Sequence, residues 1–348
     1  MKAITVIPGD PDGVTVDEVA EPIAGDDQLL VEGLLVGICG TDVDIIEDGY
    51  GKQPPGRDRL VIGHESLGRV IQAPLGSGFA EGDLVAGIVR RPDPVPCPPC
   101  SVGEWDFCRN GRYTERGIKE LDGFASRLWT VETDFAVKLD PELGDCGVLL
   151  EPASVLAKAW EQTDRIFARS SWRPRTSLIT GAGPIGLFAA LMSTQRGLDT
   201  HVLDIDDSGP KAGLVADLGA TFHTGSPADL DVVPDVVIEC TGHGPLVVEL
   251  TESVAADAVI CLTGISPSTG TVRVGLDRLN KDMVLGNTVM FGSVNANRRN
   301  FEQAADALAR ADLDWLQRFI TRRVAPDEFV DGLHKKPDDV KVVVDLRA

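Results

Sequence analysis

The stretch TSLITGAGPIGLFAALMSTQRG, residues 176–197, decides the fold class of this 348-residue chain. An apolar run leads into GAGPIG (181–186), which fits the pattern G-x-G-x-x-G, and a second apolar run of helical length follows. A strand, a glycine turn and a helix in this order are typical of a dinucleotide-binding unit. Gly181 permits the tight turn, Gly183 lets the pyrophosphate approach, and Gly186 lets the helix pack on the strand.

The periodicity of the flanking sequence predicts two domains. Strand-like and helix-like segments alternate after this stretch, which predicts an α/β Rossmann domain with a doubly wound parallel sheet over residues 158–297. Short alternating runs such as LLVEGLLVG (29–37) predict a β-rich domain over residues 1–157, which residues 298–348 complete. The proline-rich segment RPDPVPCPP (91–99) predicts a loop.

The net charge of −21 excludes nucleic acid as an expected partner, because such a surface repels phosphate backbones. The acidic surface favours a salt-loving source, and we expect the fold to be lost on dialysis from molar salt into dilute buffer. The sequence MKAITVIPGD does not resemble a signal peptide, and no apolar run reaches the length of a membrane helix. We therefore expect a cytoplasmic protein without a membrane partner.

Asp204, 18 residues beyond Gly186, predicts the type of cofactor. A carboxylate at the end of the second strand accepts hydrogen bonds from the ribose 2′-hydroxyl of the dinucleotide. No lysine or arginine follows until Lys211, so we expect a 2′-phosphate to meet only negative charge and NAD to be preferred over NADP. We also expect cofactor contacts from Pro184, Ile185, Ile205, Asp206, Thr241, Gly264, Ser293, Val294 and Asn295.

Three segments carry possible metal ligands: GICGTDVD (37–44), GHESLGRV (63–70) and LLEPAS (149–154). Cys39, His64, Glu65 and Glu151 offer one thiolate, one imidazole and two carboxylates, which are the ligand types of catalytic zinc. Taken singly, Cys39 could be a small core residue and His64 a hydrogen-bonding group at a strand end. Their combination with a nucleotide fold favours the metal site.

The motif G-H-E-x-x-G-x-V, preceded by C-G-T-D, resembles the zinc-containing medium-chain alcohol dehydrogenase superfamily over essentially the whole chain. Further segments are similar to its archaeal glucose dehydrogenase branch: LVIGHE (60–65), VRRP (89–92), ERGI (115–118), LDGFAS (121–126), LLEP (149–152) and GSVNA (292–296). The resemblance implies a GroES-like catalytic domain beside the Rossmann domain, and a homodimer or homotetramer.

The resemblance also implies the chemistry: zinc polarises the anomeric hydroxyl of a sugar, the hydride passes to the nicotinamide, and a lactone leaves. It places the catalytic zinc on Cys39, His64, Glu65 and Glu151, and whether the two glutamates bind together or alternate is open. Implied sugar contacts are Thr41, Glu115, Glu151 and Asn295. Thr41 would hydrogen-bond the anomeric hydroxyl of the sugar and pass the proton of that hydroxyl outward, through Asp44 or water.

A second, structural zinc site departs from the family pattern C-x2-C-x2-C-x7-C. Cys97, Cys100 and Cys108 keep the last two spacings, whereas Asp93 stands near the first position. One carboxylate with three thiolates can bind zinc. The alternative is a lobe whose thiols are free or merely packed.

Glucose is the leading substrate, because several buried polar groups would need a polyhydroxylated ligand to pair them. Galactose, arabinose, xylose and sorbitol are the alternatives within the same enzyme class, since epimers differ by the direction of one hydroxyl. A nucleotide-binding protein without catalysis is the alternative from another class, and loss of Cys39 or His64 would mark it.

Overall fold

A computed structural model describes residues 1–266 and 270–348. The strands in chain order are β1 Lys2–Val6, β2 Thr15–Glu18, β3 Gln28–Ile38, β4 Leu60–Val61, β5 Glu65–Gln72, β6 Leu84–Gly87, β7 Arg90–Arg91, β8 Thr114–Arg116, β9 Glu120–Leu121, β10 Leu128–Glu132, β11 Ala136–Lys138, β12 Thr176–Thr180, β13 Asp199–Leu203, β14 Thr221–His223, β15 Val236–Glu239, β16 Val259–Leu262, β17 Val289–Gly292, β18 Ile320–Val324 and β19 Lys341–Asp345.

The α-helices in chain order are α1 Gly40–Glu47, α2 Pro98–Ser101, α3 Leu150–Phe167, α4 Pro184–Gln195, α5 Lys211–Asp217, α6 Gly244–Glu252, α7 Leu276–Gly286, α8 Arg298–Ala309, α9 Leu313–Phe319 and α10 Phe329–Leu333. Within the described residues, no helix combines the length and the apolar character that a bilayer crossing requires.

The chain forms two compact units. The first comprises Met1–Ser154 and Ala296–Ala348, and the second comprises Val155–Asn295. The sequence patterns place the two boundaries after residues 157 and 297.

The first unit is built on β3, the long strand that the run at 29–37 predicts. This strand pairs with β5, β10 and β19 in a seven-stranded sheet, and its side chains Leu29, Val31, Leu35 and Val36 are buried. From Gly33 to Ile38 every residue is buried, so both faces of this half of the strand are covered, whereas Glu32 is exposed. Because β19 pairs with β3, the C-terminal segment completes the first unit.

The second unit is a six-stranded parallel sheet in the order β14-β13-β12-β15-β16-β17. Numbered within the unit, this order is 3-2-1-4-5-6, the doubly wound arrangement of the Rossmann fold. Its core includes Leu178, Leu203, Val237, Leu250 and Ile260, one residue from each of four strands and one helix. The predicted fold class is confirmed.

The expectation of a loop over residues 91–99 is wrong at both ends. Arg91 belongs to the short strand β7, and Pro98 begins the four-residue helix α2. Proline is tolerated in the first turn of a helix, because the amide hydrogen that it lacks would have no partner inside the helix there. The prolines between these points keep the segment irregular.

Candidate active site

Strand pairing in the first unit brings distant parts of the sequence to one place. Strand β3 ends at Ile38, directly before Cys39, and β5 begins at Glu65, directly after His64. The two strands are antiparallel, with Gly37 opposite Glu65. Because the end of one strand therefore lies beside the start of the other, the thiol, imidazole and carboxylate meet.

The donor atoms of Cys39, His64 and Glu65 all lie within 4.8 Å of one another. Cys39 Sγ is 3.0 Å from His64 Nε2, and it also accepts a hydrogen bond from the amide of Thr41 at the start of α1. His64 and Glu65 are buried. Thiolate, imidazole and carboxylate are typical zinc donors, so the convergent side chains fit that metal.

Asp42 lies behind the imidazole of His64. Its Oδ2 accepts from the amide of Cys39 at 2.9 Å, and its Oδ1 lies 3.5 Å from His64 Nδ1. A carboxylate behind a ligating histidine selects the tautomer that presents the other ring nitrogen to the metal. Asp42 was not among the predicted site residues, although its place in the first turn of α1, three residues after Cys39, is a capping signal.

Lys341 is a second residue of the site that no sequence motif predicted. It is 2% exposed, forms an ion pair with Glu65, and donates a hydrogen bond of 3.0 Å to the carbonyl oxygen of Ile38. Lys341 is 303 positions from Ile38 along the chain, and no local pattern links them. The attraction to this lysine offsets part of the free-energy cost of removing the Glu65 carboxylate from water.

Charge crowding is visible in the pKa values. Burial lowers the pKa of His64, but the thiolate of Cys39 and the carboxylate of Asp42 raise it, and the net pKa lies well above its usual range. Glu151, at the start of α3, lies outside the group of three close donors in the described structure. Its burial raises the pKa to about 7, and His64 and Lys341 oppose that shift. Glu151 is therefore within electrostatic reach of the site.

The expected substrate residues of the first unit occupy different surroundings. Thr41 lies in the first turn of α1 and is half-buried, whereas Asp44, one turn later, is exposed. Glu115 is buried and pairs with the guanidinium of Arg90 at 3.0 Å. Arg90 in turn stacks on the ring of Tyr113, 3.7 Å from its centroid.

The second cysteine cluster also forms. The sulfur atoms of Cys97, Cys100 and Cys108 lie within 4.8 Å of one another, with 3.5 Å between the first two. The amide of Arg109 donates to Cys97 Sγ at 3.3 Å and lowers the pKa of that thiol to about 7. Three convergent thiols of this kind fit a structural metal.

Asp93 lies near these thiols but is not part of the close group among the described residues. Its Oδ1 accepts from the amide of Val95 at 2.8 Å, and its Oδ2 from Arg112 Nε at 3.2 Å. The arginine side chain is 61% exposed, so little free energy opposes its withdrawal.

In the second unit, the glycine-rich turn has the conformation that its sequence requires. Gly181 has a φ of +87°, and a Cβ atom on Gly186 would overlap the carbonyl oxygen of Gly181. A Cβ on Gly183 would meet no atom within 4 Å, so this side of the turn is open. Helix α4 starts at Pro184 and continues through Ile185. Its amino-terminal amides suit a pyrophosphate.

Asp204 follows β13, as expected for a ribose ligand, but it has a cation beside it. Its Oδ2 accepts from the amide of Ala182 at 2.6 Å and lies 3.2 Å from Lys211 Nζ. The expectation that only negative charge stands here is therefore wrong, because the loop after β13 returns Lys211 to the strand end. Ile205 and Asp206 are exposed.

The remaining expected cofactor residues lie at the carboxyl ends of β15, β16 and β17. They are Thr241, Gly264, Ser293, Val294 and Asn295. The buried hydroxyl of Ser293 has no hydrogen-bond partner within the described residues. Lys158 Nζ donates to the carbonyl oxygen of Val294 at 2.8 Å, and Asn295 has a φ of +62°. Ligands of doubly wound sheets bind at this edge.

Two family models cover most of the chain. Residues 25–141 match the alcohol dehydrogenase GroES-like domain, and residues 144–346 match the C-terminus of glucose dehydrogenase. Glucose 1-dehydrogenase of Thermoproteus tenax is 40% identical, and that of Methanocella arvoryzae is 35% identical, each over the full length of both chains.

Solved structures agree with these relatives. Glucose dehydrogenase of Haloferax mediterranei, in complex with NADP, Zn and gluconolactone, superposes with a TM-score of 0.91 and 28% identity over 99% of each chain. An alcohol dehydrogenase of Thermotoga maritima shares the fold, with a TM-score of 0.83 and 20% identity. This chain therefore belongs to the glucose dehydrogenase branch of the zinc-containing alcohol dehydrogenase superfamily.

Proposed function

We propose that this protein is a zinc-dependent glucose 1-dehydrogenase, which oxidises the anomeric carbon of D-glucose to gluconolactone and reduces a nicotinamide dinucleotide. One observation carries the proposal: Cys39, His64 and Glu65 converge in a chain that also has a complete dinucleotide-binding fold. Relatives that match over their full length are glucose 1-dehydrogenases, and the Haloferax enzyme binds gluconolactone.

The proposed zinc ligands are Cys39, His64, Glu65 and Glu151. A bound zinc ion lowers the pKa of a nearby hydroxyl and stabilises the alkoxide that develops during oxidation. The proposed role of Asp42 is to orient the imidazole of His64, since its carboxylate lies 3.5 Å from the ring nitrogen that faces away from Cys39. The proposed role of Thr41 is to accept the proton of the sugar hydroxyl and to pass it outward, through Asp44 or ordered water.

Sugar recognition falls to polar groups that a simple alcohol would leave unpaired. Thr41, Glu115, Glu151 and Asn295 are the proposed contacts. Arg90 holds the carboxylate of Glu115 in a fixed position. A fixed acceptor favours a substrate whose hydroxyl lies in the matching direction.

The proposed cofactor contacts lie at the carboxyl edge of the parallel sheet. The amides at the start of α4 would bind the pyrophosphate. Asp204 would accept from the ribose 2′-hydroxyl, and preference for NAD over NADP remains our prediction. Lys211, 3.2 Å from that carboxylate, would lessen the penalty on a 2′-phosphate and so limit the preference.

A substrate panel tests the proposal. The zinc-loaded protein should reduce NAD or NADP with glucose, and chelation should abolish the reaction. Galactose, arabinose, xylose and sorbitol should each give a lower kcat/KM than glucose. A higher value for one of them would reassign the substrate within the family. Dinucleotide binding without turnover of any sugar would favour the non-catalytic alternative.

We also propose a homodimer or homotetramer, formed through the second unit. Strand β17 is the last strand of its sheet, and α7, which precedes it in the chain, has no buried residue among those described. Leu276, Val284 and Leu285 of this helix are 65–70% exposed, and a second subunit would cover such apolar side chains. Light scattering should give a multiple of 37.1 kDa, and a monomer at micromolar concentration would contradict the proposal.

Location in the cytoplasm is part of the proposal as well. Within the described residues none of the seven cysteines forms a disulfide, as is usual in reducing compartments.

A further inference from the structure

Glu239 is a buried carboxylate that the proposed reaction does not use. It is the last residue of β15 and is fully inaccessible to solvent. Within the described residues, neither lysine nor arginine pairs with it. A buried charge without a counterion is stable only when hydrogen bonds take the place of water. The partners of this carboxylate therefore show what it does.

Among the described residues, the donors to the Glu239 carboxylate come from the carboxyl ends of strands. Its Oε1 accepts from the amide of Thr241 at 2.6 Å, from the Thr241 hydroxyl, and from the Thr180 hydroxyl at 3.4 Å. The amide of Gly242 donates to both oxygens, at 3.1 and 3.2 Å. Successive amides turned toward one point form a concavity that binds anions. Here a side chain of the protein fills that concavity.

The backbone of Glu239 extends the same connection to the next strand. Its carbonyl oxygen accepts from the amides of Thr263 and Gly264, at 2.8 and 3.0 Å. A Cβ atom on Gly264 would overlap the backbone of Gly242, so the two turns pack main chain against main chain. Glu239 thus joins the ends of β12, β15 and β16.

We propose that Glu239 is a positioning residue for the dinucleotide, because its carboxylate fixes the end of β12 and the turn after β15, and its backbone carbonyl holds the turn after β16, where the cofactor would bind. This inference rests on the proposed function, which identifies the cofactor as a nicotinamide dinucleotide. The amides of Thr241 and Gly242 already donate to Glu239, so they are not available to the cofactor. The cofactor phosphates must then bind at the start of α4.

The hydroxyl of Thr241 also donates to Glu239 and has no proton left for the cofactor. Its proton points to Glu239, and its oxygen accepts from the amide of His243 at 3.0 Å. Thr241 can therefore offer the dinucleotide only its remaining acceptor capacity and its methyl group.

The test is to titrate the full-length zinc-loaded protein with NADH and NADPH and to measure binding by the fluorescence of the nucleotide. Glu239→Gln replaces one acceptor oxygen by an amide that faces backbone donors. We expect the dissociation constant of the preferred nucleotide to rise about tenfold, the value for one hydrogen bond to a charged group. Zinc content and the KM for glucose should stay within about twofold of the parent values.

Ser177→Ala is the matched control. Ser177 lies at the opposite end of β12, is fully buried, and bonds to the hydroxyl of Ser193 at 2.6 Å. Its removal should lower the melting temperature without changing nucleotide affinity. If Glu239→Gln and Ser177→Ala weaken nucleotide binding equally at equal loss of stability, Glu239 has only a structural role and the inference fails.

A second variant covers the case in which Glu239→Gln does not fold. Thr241→Val removes the hydroxyl that donates to Glu239, and Thr241→Ser retains it. We expect weaker nucleotide binding for the valine variant and near-parental binding for the serine variant. Parental affinity in Thr241→Val would overturn the inference. Failure of the parent protein to bind either nucleotide would instead refute the proposed function.

Discussion

The two cysteine clusters of the first unit differ in how the chain builds them. Cys97, Cys100 and Cys108 come from one lobe of twelve residues, and their sulfur atoms are the only donors in the close group described there. Cys39, His64 and Glu65 come from two strand ends. Asp42 lies beside His64, and Lys341 forms an ion pair with Glu65. A local all-thiol cluster suits a metal that only holds a fold. A mixed cluster supported by buried charges suits a metal that acts on a substrate.

The largest expected difference concerns catalysis. Cys39→Ala or His64→Ala should lower kcat/KM for glucose by about 10³-fold or more, because the metal contributes several kcal/mol to charge stabilisation. Circular dichroism should remain close to that of the parent. Cys146→Ala, a buried thiol outside both clusters, is the control and should keep its activity. Substantial turnover by the Cys39 variant would refute the zinc mechanism.

The next effect concerns the charges that support the mixed cluster. Lys341→Met leaves the buried carboxylate of Glu65 without its partner and should lower the free energy of unfolding by about 3–5 kcal/mol. Lys138→Met is the control, because its ion pair with Asp83 is exposed at the lysine and should contribute less than about 1 kcal/mol. Denaturant titration measures both. If the two variants lost the same free energy of unfolding, the buried ion pair would contribute no more to stability than the exposed one.

A smaller effect is expected from the residue behind the histidine. Asp42→Asn should weaken zinc binding about 10–100-fold, because the imidazole loses the carboxylate that orients it. Competition with a chromogenic chelator measures the affinity. Asp44→Asn, an exposed change on the same helix, should leave zinc affinity unaltered. The role assigned to Asp42 would be untenable if both variants bound zinc as the parent does.

The local cluster should behave in the opposite way. Cys100→Ser should reduce the metal content from two zinc ions per chain to one and lower the melting temperature. The kcat of the folded enzyme should change less than about threefold, since this metal would touch no substrate. A metal content of one zinc per chain in the parent protein would show that the lobe holds only free thiols.

The smallest effect separates two ways of completing the lobe. If Asp93 is the fourth ligand, Asp93→Ala should weaken the structural zinc, whereas Arg112→Ala should leave it bound, because the arginine only competes for the carboxylate. Metal analysis after dialysis distinguishes the outcomes. Retention of both zinc ions by Asp93→Ala would assign the fourth position to another group.

Sequence patterns predicted the features that depend on neighbouring residues. Gly181 and Gly186 at fixed spacing indicated a turn that has little room for side chains, and the turn has that form. The three clustered cysteines indicated a local group for the same reason. Backbone conformation and short-range spacing are properties of a few consecutive residues, so the sequence determined them.

The contacts that join distant segments depend on how the strands assemble in the folded chain. Pairing of β19 with β3 placed Lys341 beside Glu65, and the loop after β13 returned Lys211 to Asp204. The pairing of Glu239 with the turns of neighbouring strands has the same origin. Whether a buried charge is balanced by a cation or by backbone amides depends on which strands become neighbours. That choice results from packing of the whole sheet rather than from any local pattern.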